Sequence, residues 1–156
     1  MPQIRFEIVE VVVFRNRRLP EFLILKRSGD EDIYPGLWQI VSGGIERYEK
    51  AYEAAIREMR EEIGITPLRL FNTPLTNTFY FAANDSVNVS PVLAAEVDEG
   101  SEVKLSSEHE AYRWATSEEA ISSLVWPGQK EAIKVVKDFV IDENPSRKFM
   151  QIKFRE

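Results

Sequence analysis

The sequence predicts an α/β or α+β fold in which a mixed β-sheet packs against helices. Two observations carry this reading: strand-like segments outnumber helical ones, and helical periodicity begins only near residue 49, interleaved with further strand-like runs. A third is size, since 156 residues with 44% hydrophobic and 29% charged side chains supply one core and leave no room for a second full-sized domain. Residues 1–156 are therefore read as a single domain.

The elements follow in order. Ile4 to Phe14 is rich in Ile, Val and Phe and reads as a strand. Asn16-Arg17-Arg18 and Pro20 make a turn, and Phe22-Leu23-Ile24-Leu25 returns as its antiparallel partner. An acidic loop, Asp30-Glu31-Asp32 with Pro35-Gly36, leads to Trp38-Gln39-Ile40-Val41 and then to the breaker Gly43-Gly44. From Glu49 to Ile63 the period changes to that of a helix, stopped by Gly64 and Pro67. Tyr52, Ile56, Met59 and Ile63 share one stripe of it, which predicts the buried face. Leu68–Leu75, Thr78–Ala82 and Val87–Val97 are expected strands, the last carrying a Ser90-Pro91 that marks an edge or a bulge. Ala111–Trp114 is another. Thr116 with Glu119 has capping-box spacing for a helix to about Leu124, and Pro127 opens a final helix to about Ile141, ended by Asn144-Pro145. Residues 146–156 are a polar tail, either a last strand or loose.

Composition narrows function. With 26 acidic against 20 basic residues and a net charge of -6, attraction to polymeric nucleic acid or to an anionic membrane is disfavoured, whereas divalent cations are suited. The absence of Cys removes disulfide scaffolds, thiolate metal sites and thiol nucleophiles, and the single His109 removes any multi-His metal site. Glu7 and Glu10 interrupt the N-terminal apolar run, so no signal peptide is expected, and no segment approaches the ~20 apolar residues of a membrane span. The expectation is a cytoplasmic protein, monomer or homodimer.

One segment concentrates the acids. At about 100° per residue, Glu58, Glu61 and Glu62 occupy an arc of roughly 100° on the helix, facing away from the apolar stripe. Like charges at these spacings each cost about 0.2–0.5 kcal/mol, and Arg57 alone cannot neutralise three acids. Oxygen-only donors of this kind suit Mg²⁺ or Mn²⁺. Alone, the same arc also reads as a solvated face paired with Arg57 and Arg60.

The wider pattern is Gly-x5-Glu-x7-Arg-Glu-Met-x-Glu-Glu-x-Gly-Ile, present at Gly43, Glu49, Arg57, Glu58, Met59, Glu61, Glu62, Gly64 and Ile65. It resembles the signature of the Nudix hydrolases with no departure at its defining positions. The resemblance implies an α/β Nudix fold, a mixed sheet sandwiched between helices. It also implies hydrolysis of a nucleoside diphosphate linked to another group, through metal-assisted attack of water at phosphorus. By the same resemblance Glu58, Glu61 and Glu62 match the metal-binding carboxylates and Gly43 the backbone carbonyl ligand, while Arg57 and Glu49 match the pair that orients the carboxylates. The cofactor implied is Mg²⁺, with Mn²⁺ as substitute.

The general base varies within the family and often lies outside the signature. Glu108 and Glu110, in Ser107-Glu108-His109-Glu110, are candidates beside Glu58, with Glu108 favoured; His109 is read as a loop hydrogen-bonder. For the substrate, a small phosphoanhydride, Arg27 is a candidate phosphate contact, and Trp38 and Tyr80 are candidate ring contacts, against the alternatives of a solvated strand end and of core packing. Trp38–Glu46 and Glu108–Trp114 bear a weaker resemblance to dihydroneopterin triphosphate diphosphatases, and Ser42 before the double glycine agrees with that branch. Trp38-Gln39 is also similar to diadenosine polyphosphate hydrolases. The implied substrates are thus dihydroneopterin triphosphate or a nucleoside triphosphate, with a dinucleoside polyphosphate as the alternative. A non-catalytic Nudix-fold nucleotide-binding module is the alternative of a different class, and the complete signature speaks against it.

Overall fold

In the computed structural model, which describes residues 1–142 and 145–155, the Val-rich N-terminal segment forms the central strand β2 (Ile8–Asn16). β-Branched side chains suit a strand buried on both faces, and Val9, Val11 and Val13 turn to one face while Val12 and Phe14 turn to the other. The partners of β2 are β3 (Pro20–Arg27) and β5 (Val41–Gly44), both antiparallel, and β7 (Ser86–Glu96), which is parallel. β3 also pairs with β4 (Trp38–Gln39) and with β8 (His109–Ala115). On the far side β7 pairs with β6 (Arg69–Phe81), which carries β9 (Gln151–Ile152), and the start of β7 takes β1 (Gln3–Arg5) in parallel. The result is one mixed sheet.

Helix α1 (Ala51–Ile63) covers the Val9/Val11/Val13 face with Ala55, Met59 and Ile63. Helices α2 (Ser117–Ser123) and α3 (Pro127–Val136) cover the Val12/Phe14 face with Ala120, Ile133 and Val136. The predicted α/β sandwich is therefore present, and the Tyr52/Ile56/Met59/Ile63 stripe is the face that packs on the sheet. Among the described residues no helix is long and apolar enough to cross a membrane.

Several boundaries differ from those expected. The single strand expected over Ile4–Phe14 breaks at Phe6–Glu7, because β1 pairs only with the start of β7 and β2 with its end. Leu68–Leu75 and Thr78–Ala82 are one continuous strand, β6, interrupted by a register shift between Asn72 and Thr76. Pro91, which has no N–H to give to a ladder, pairs with Thr76 at that shift, and within the shifted stretch the Thr73 hydroxyl donates to the Val92 carbonyl at 2.7 Å. α1 begins at Ala51, where the Glu53 carboxylate accepts the Lys50 N–H at 2.9 Å, and ends at Gly64, held at φ 70°, a value glycine adopts without strain. The Thr116/Glu119 capping box of α2 is formed. The final helix runs to Ile141 only by widening into a π-type turn over Lys137–Ile141. Asn144 lies outside the described residues. The tail contributes a short helix α4 (Arg147–Met150) and then β9, so Gln151–Ile152 is strand.

Candidate active site

The signature folds as β5, a turn, and α1, and this brings residues far apart in sequence onto one guanidinium. Arg57 Nε and Nη2 donate to the two carboxylate oxygens of Glu49, each at 2.9 Å, a bidentate fork. Nη2 also donates to the Gly44 carbonyl at 2.7 Å, and Nη1 to Glu58 at 2.8 Å and Glu61 at 3.4 Å. Glu49 is further fixed by the Glu46 N–H at 2.9 Å. Arg57 holds the Glu49 carboxyl below the usual carboxylate range, and its own pKa is raised, first by Glu49. Arg60, by contrast, turns away from the site to Thr66 Oγ1 at 3.2 Å.

The three acids of the arc sit in three different environments. This corrects the expectation that all of them point away from the core. The Glu61 side chain is 59% exposed and that of Glu58 13%, whereas Glu62 as a residue is only 5% exposed. The covering strap is the segment before β8, where the N–H groups of Lys104 and Ser106 donate to the carbonyls of Ile63 and Glu62 at 2.9 and 3.1 Å. Glu62 Oε2 is buried with no hydrogen-bond partner. Burial, followed by the charges of Glu58 and Glu108, pushes its carboxyl up to about 9, with Arg27 acting the other way. Burial also raises Glu58, against the pull of Arg57.

Gly43 explains itself geometrically: a Cβ placed there would lie 2.1 Å from the Glu58 Cδ. The Glu58 carboxyl thus rests on the backbone of β5. Among the described residues no three acidic or His side chains are already gathered in ligating positions, since Glu58 and Glu61 rest on Arg57. The donor set nonetheless fits a hard divalent cation, because an unpaired buried carboxylate oxygen lacks only a positive partner. Rotation of Glu58 off Arg57 would add a second oxygen.

Of the base candidates, Glu108 is exposed, its charge acts on both Glu58 and Glu62, and its carbonyl accepts the Ser28 N–H at 2.9 Å. Glu110 is paired with Lys26 at 3.2 Å. His109 is buried, its Nε2 against Gln39 Nε2 at 3.2 Å, and burial followed by the Arg27 charge lowers its pKa to about 4. It stands as a neutral hydrogen-bonding ring.

The opposite face of the sheet holds a cleft of about 610 Å³, whose wall includes Arg27 and Tyr80. Arg27 donates to the Ile33 carbonyl at 2.8 Å and to Glu31 at 3.2 Å. Tyr80 is exposed and its hydroxyl donates to Asp85 at 2.9 Å. Trp38 is not part of that wall; it packs against the α2/α3 side of the core, with Arg113 over its ring at 5.4 Å. The cleft floor contains Glu10, Asn77 and Gln129, which the sequence reading did not select. The signal was there: Glu10 is a lone charge between valines in an otherwise apolar run.

A mixed sheet between helices, with a carboxylate-bearing helix anchored by an Arg–Glu fork to a glycine turn, is the architecture of a class of phosphoanhydride hydrolases. Residues 5–139 match the NUDIX domain family, and the chain belongs to it as a pyrophosphohydrolase. It is 30% identical over 107 residues to the nucleoside triphosphatase NudI of Escherichia coli K12, covering 64% of this chain and 76% of that protein. A Caenorhabditis elegans Ap4A hydrolase binary complex superposes with a TM-score of 0.71 at 24% identity, over 86% of this chain and 97% of the other. The E. coli dihydroneopterin triphosphate pyrophosphohydrolase gives 0.70 at 24% identity, over 88% and 99%. At these identities the two structures speak for the fold.

Proposed function

We propose that this chain hydrolyses a small phosphoanhydride, a nucleoside triphosphate or dihydroneopterin triphosphate, with Mg²⁺ or Mn²⁺ bound by Glu58, Glu61, Glu62 and the Gly43 carbonyl. The observation that carries the reading is the buried, unpartnered Glu62 carboxylate facing the charges of Glu58 and Glu108. An unpaired buried acid is costly in a resting protein and is retained where it serves a ligand. The NudI relative, a nucleoside triphosphatase by name, supports a triphosphate as the substrate.

Within this reading the chain's own groups divide the work. The cation, when bound, supplies charge neutralisation for the phosphate oxygens and an acidified water for in-line attack at phosphorus. Glu49 and Arg57 orient the carboxylates, since the fork and the Gly44 carbonyl contact fix Arg57 in one position. Glu108, exposed beside the acids, takes the proton of the attacking water. Arg27, in the cleft wall and close enough to act on Glu62, binds phosphate once it exchanges Glu31 for the substrate.

The test is a hydrolysis screen with Mg²⁺ across nucleoside triphosphates, dihydroneopterin triphosphate and dinucleoside polyphosphates, run on the native chain and on Glu62→Gln. Release of pyrophosphate or phosphate that falls at least 100-fold in the variant supports the reading. Hydrolysis of dinucleoside polyphosphates alone would replace the substrate, and equal rates in the two proteins would remove Glu62 from the mechanism.

A further inference from the structure

On the α2/α3 face, the sheet changes character halfway along its strands. In its first part this face is apolar, with Val12, Phe14, Phe71, Val92 and Ala94 buried. Beyond Val12 and Val92 the same face turns polar: Glu10 on β2, its partner Ser42 on β5, Asn77 on β6 and Asn88 on β7. The helices stop short of this part, leaving the 610 Å³ cleft.

Glu10 lies on that floor and is 5% exposed. One of its oxygens accepts Asn77 Nδ2 at 2.9 Å and the other accepts Gln129 Nε2 at 3.3 Å. Gln129 cannot turn its amide over without loss, because its Oε1 accepts the Ile40 N–H at 3.2 Å. Gly128 lets the α3 N-terminus approach this closely, since a Cβ there would lie 2.0 Å from Asn77 Oδ1. Two amides therefore clamp the carboxylate and use one acceptor position on each oxygen. Each oxygen keeps a further acceptor position. Aromatic side chains line the cleft above it: Tyr34 and Trp126, in edge contact at 4.8 Å between centroids, and Phe79.

A planar heterocycle packs on aromatic side chains, and a carboxylate beside it selects neighbouring N–H donors on its edge. We infer that Glu10, clamped by Asn77 and Gln129, is the specificity-determining residue of this cleft, reading the 2-amino-4-oxo edge shared by guanine and pterin rings. That edge presents a ring N–H beside an exocyclic NH₂, two donors at the spacing of two carboxylate oxygens. Thymine and uracil present one ring N–H between two carbonyls, whose oxygens would face Glu10. Arg27 lines the cleft and its charge also acts on Glu62, so the triphosphate of a seated ring that leaves the cleft past Arg27 is directed to the end of the carboxylate helix.

This inference rests on the triphosphate reading above, and the experiment separates the two. With Mg²⁺, kcat and KM are measured for GTP, dihydroneopterin triphosphate and dTTP on the native chain and on Glu10→Gln. The native chain is expected to favour at least one of the first two over dTTP, showing which ring system is the source of the edge. Glu10→Gln should cost that substrate about 10- to 100-fold in kcat/KM, chiefly through KM, as expected for lost hydrogen bonds to a charged group, while dTTP changes less than about threefold. Equal losses for all three substrates, or a native preference for dTTP, would overturn the inference. Calorimetric binding of GMP, neopterin and TMP to both proteins without metal tests the cleft apart from catalysis. Tighter binding of GMP or neopterin than TMP, abolished by Glu10→Gln, supports the inference even if no triphosphate is cleaved, in which case only the proposed function fails; equal binding of the three overturns it. A melting curve on Glu10→Gln, and the same assays on Gln129→Met, which loosens the clamp but keeps the carboxylate, guard against a folding defect. Gln129→Met should show an intermediate loss of preference, and an unchanged preference would count against the clamp.

Discussion

Arg57 and Glu49 face each other through two parallel hydrogen bonds of 2.9 Å, and the same guanidinium holds the Gly44 carbonyl at 2.7 Å. The pair ties α1 to the strand before it, so neither residue needs to touch substrate to matter. Removing one arm leaves Glu58 and Glu61 to compete for a misplaced cation. Glu49→Gln is expected to lower activity about 10- to 100-fold and metal affinity in step. Steady-state kinetics with a metal titration would show both, and normal metal affinity at low kcat would refute this role.

Glu62 carries a pH dependence whose sign follows from its raised carboxyl. Folded, it titrates near 9; unfolded, near its ordinary value of 4.5. Below about 4.5 both states are protonated and there is no penalty, and as pH rises from there toward 9 the unfolded chain gains charge first, so stability is lost. At pH 7, about 2.5 units above the unfolded value, the loss is on the order of 3 kcal/mol in the metal-free protein. Glu62→Gln should flatten this slope and raise the metal-free melting temperature at pH 8 by several degrees. Calorimetric scans from pH 5 to 9 would read it, and parallel slopes for the two proteins would contradict it.

A divalent cation should reverse the same penalty. Millimolar Mg²⁺ is expected to raise the melting temperature, more at pH 8 than at pH 6, because a proton must leave Glu62 for the cation to bind. The shift should vanish in Glu62→Gln. Thermal-shift curves at the two pH values decide it, and a shift of equal size in the variant would move the cation elsewhere.

Gly43→Ala tests the contact between β5 and the helix. The added Cβ meets the far end of a flexible Glu58 side chain and not backbone, so the fold should survive while the carboxyl is displaced. Activity should fall about 100-fold with a melting temperature within a few degrees of the native one. Full activity would show that Glu58 works from another rotamer.

His109 should be silent near neutrality. Its pKa of about 4 comes from burial and from Arg27, so the rate profile should have no inflection at its ordinary value of 6.5. Because the folded value is depressed, its contribution to stability is present above about 6.5 and is lost as pH falls toward 4. As the only His, its ring protons are resolved by NMR, and titration between pH 6 and 7 would disprove the burial argument.

The sequence by itself determined what depends on local spacing. The helix and its apolar stripe, the Gly64 stop and the Thr116 cap are set within a few residues of each other, and so is the signature that carries Glu58, Glu61 and Glu62. Only the tertiary structure decided what depends on long-range contacts. Helical spacing placed Glu58, Glu61 and Glu62 on one arc facing away from the apolar stripe, yet Glu62 is buried, at the end of α1 where the Lys104–Ser106 segment docks by backbone hydrogen bonds. The sequence favoured Glu108 but kept Glu110 as a candidate, and only the pairing of Glu110 with Lys26 across the β3–β8 ladder separates the two in space. Trp38 and Tyr80 were alike as aromatic candidates, and the packing put one half-buried against the core and the other in the cleft wall. Glu10 went unread for the same reason: its partners, Asn77 and Gln129, lie 67 and 119 residues away, and only the sheet register and the α3 N-terminus bring them together.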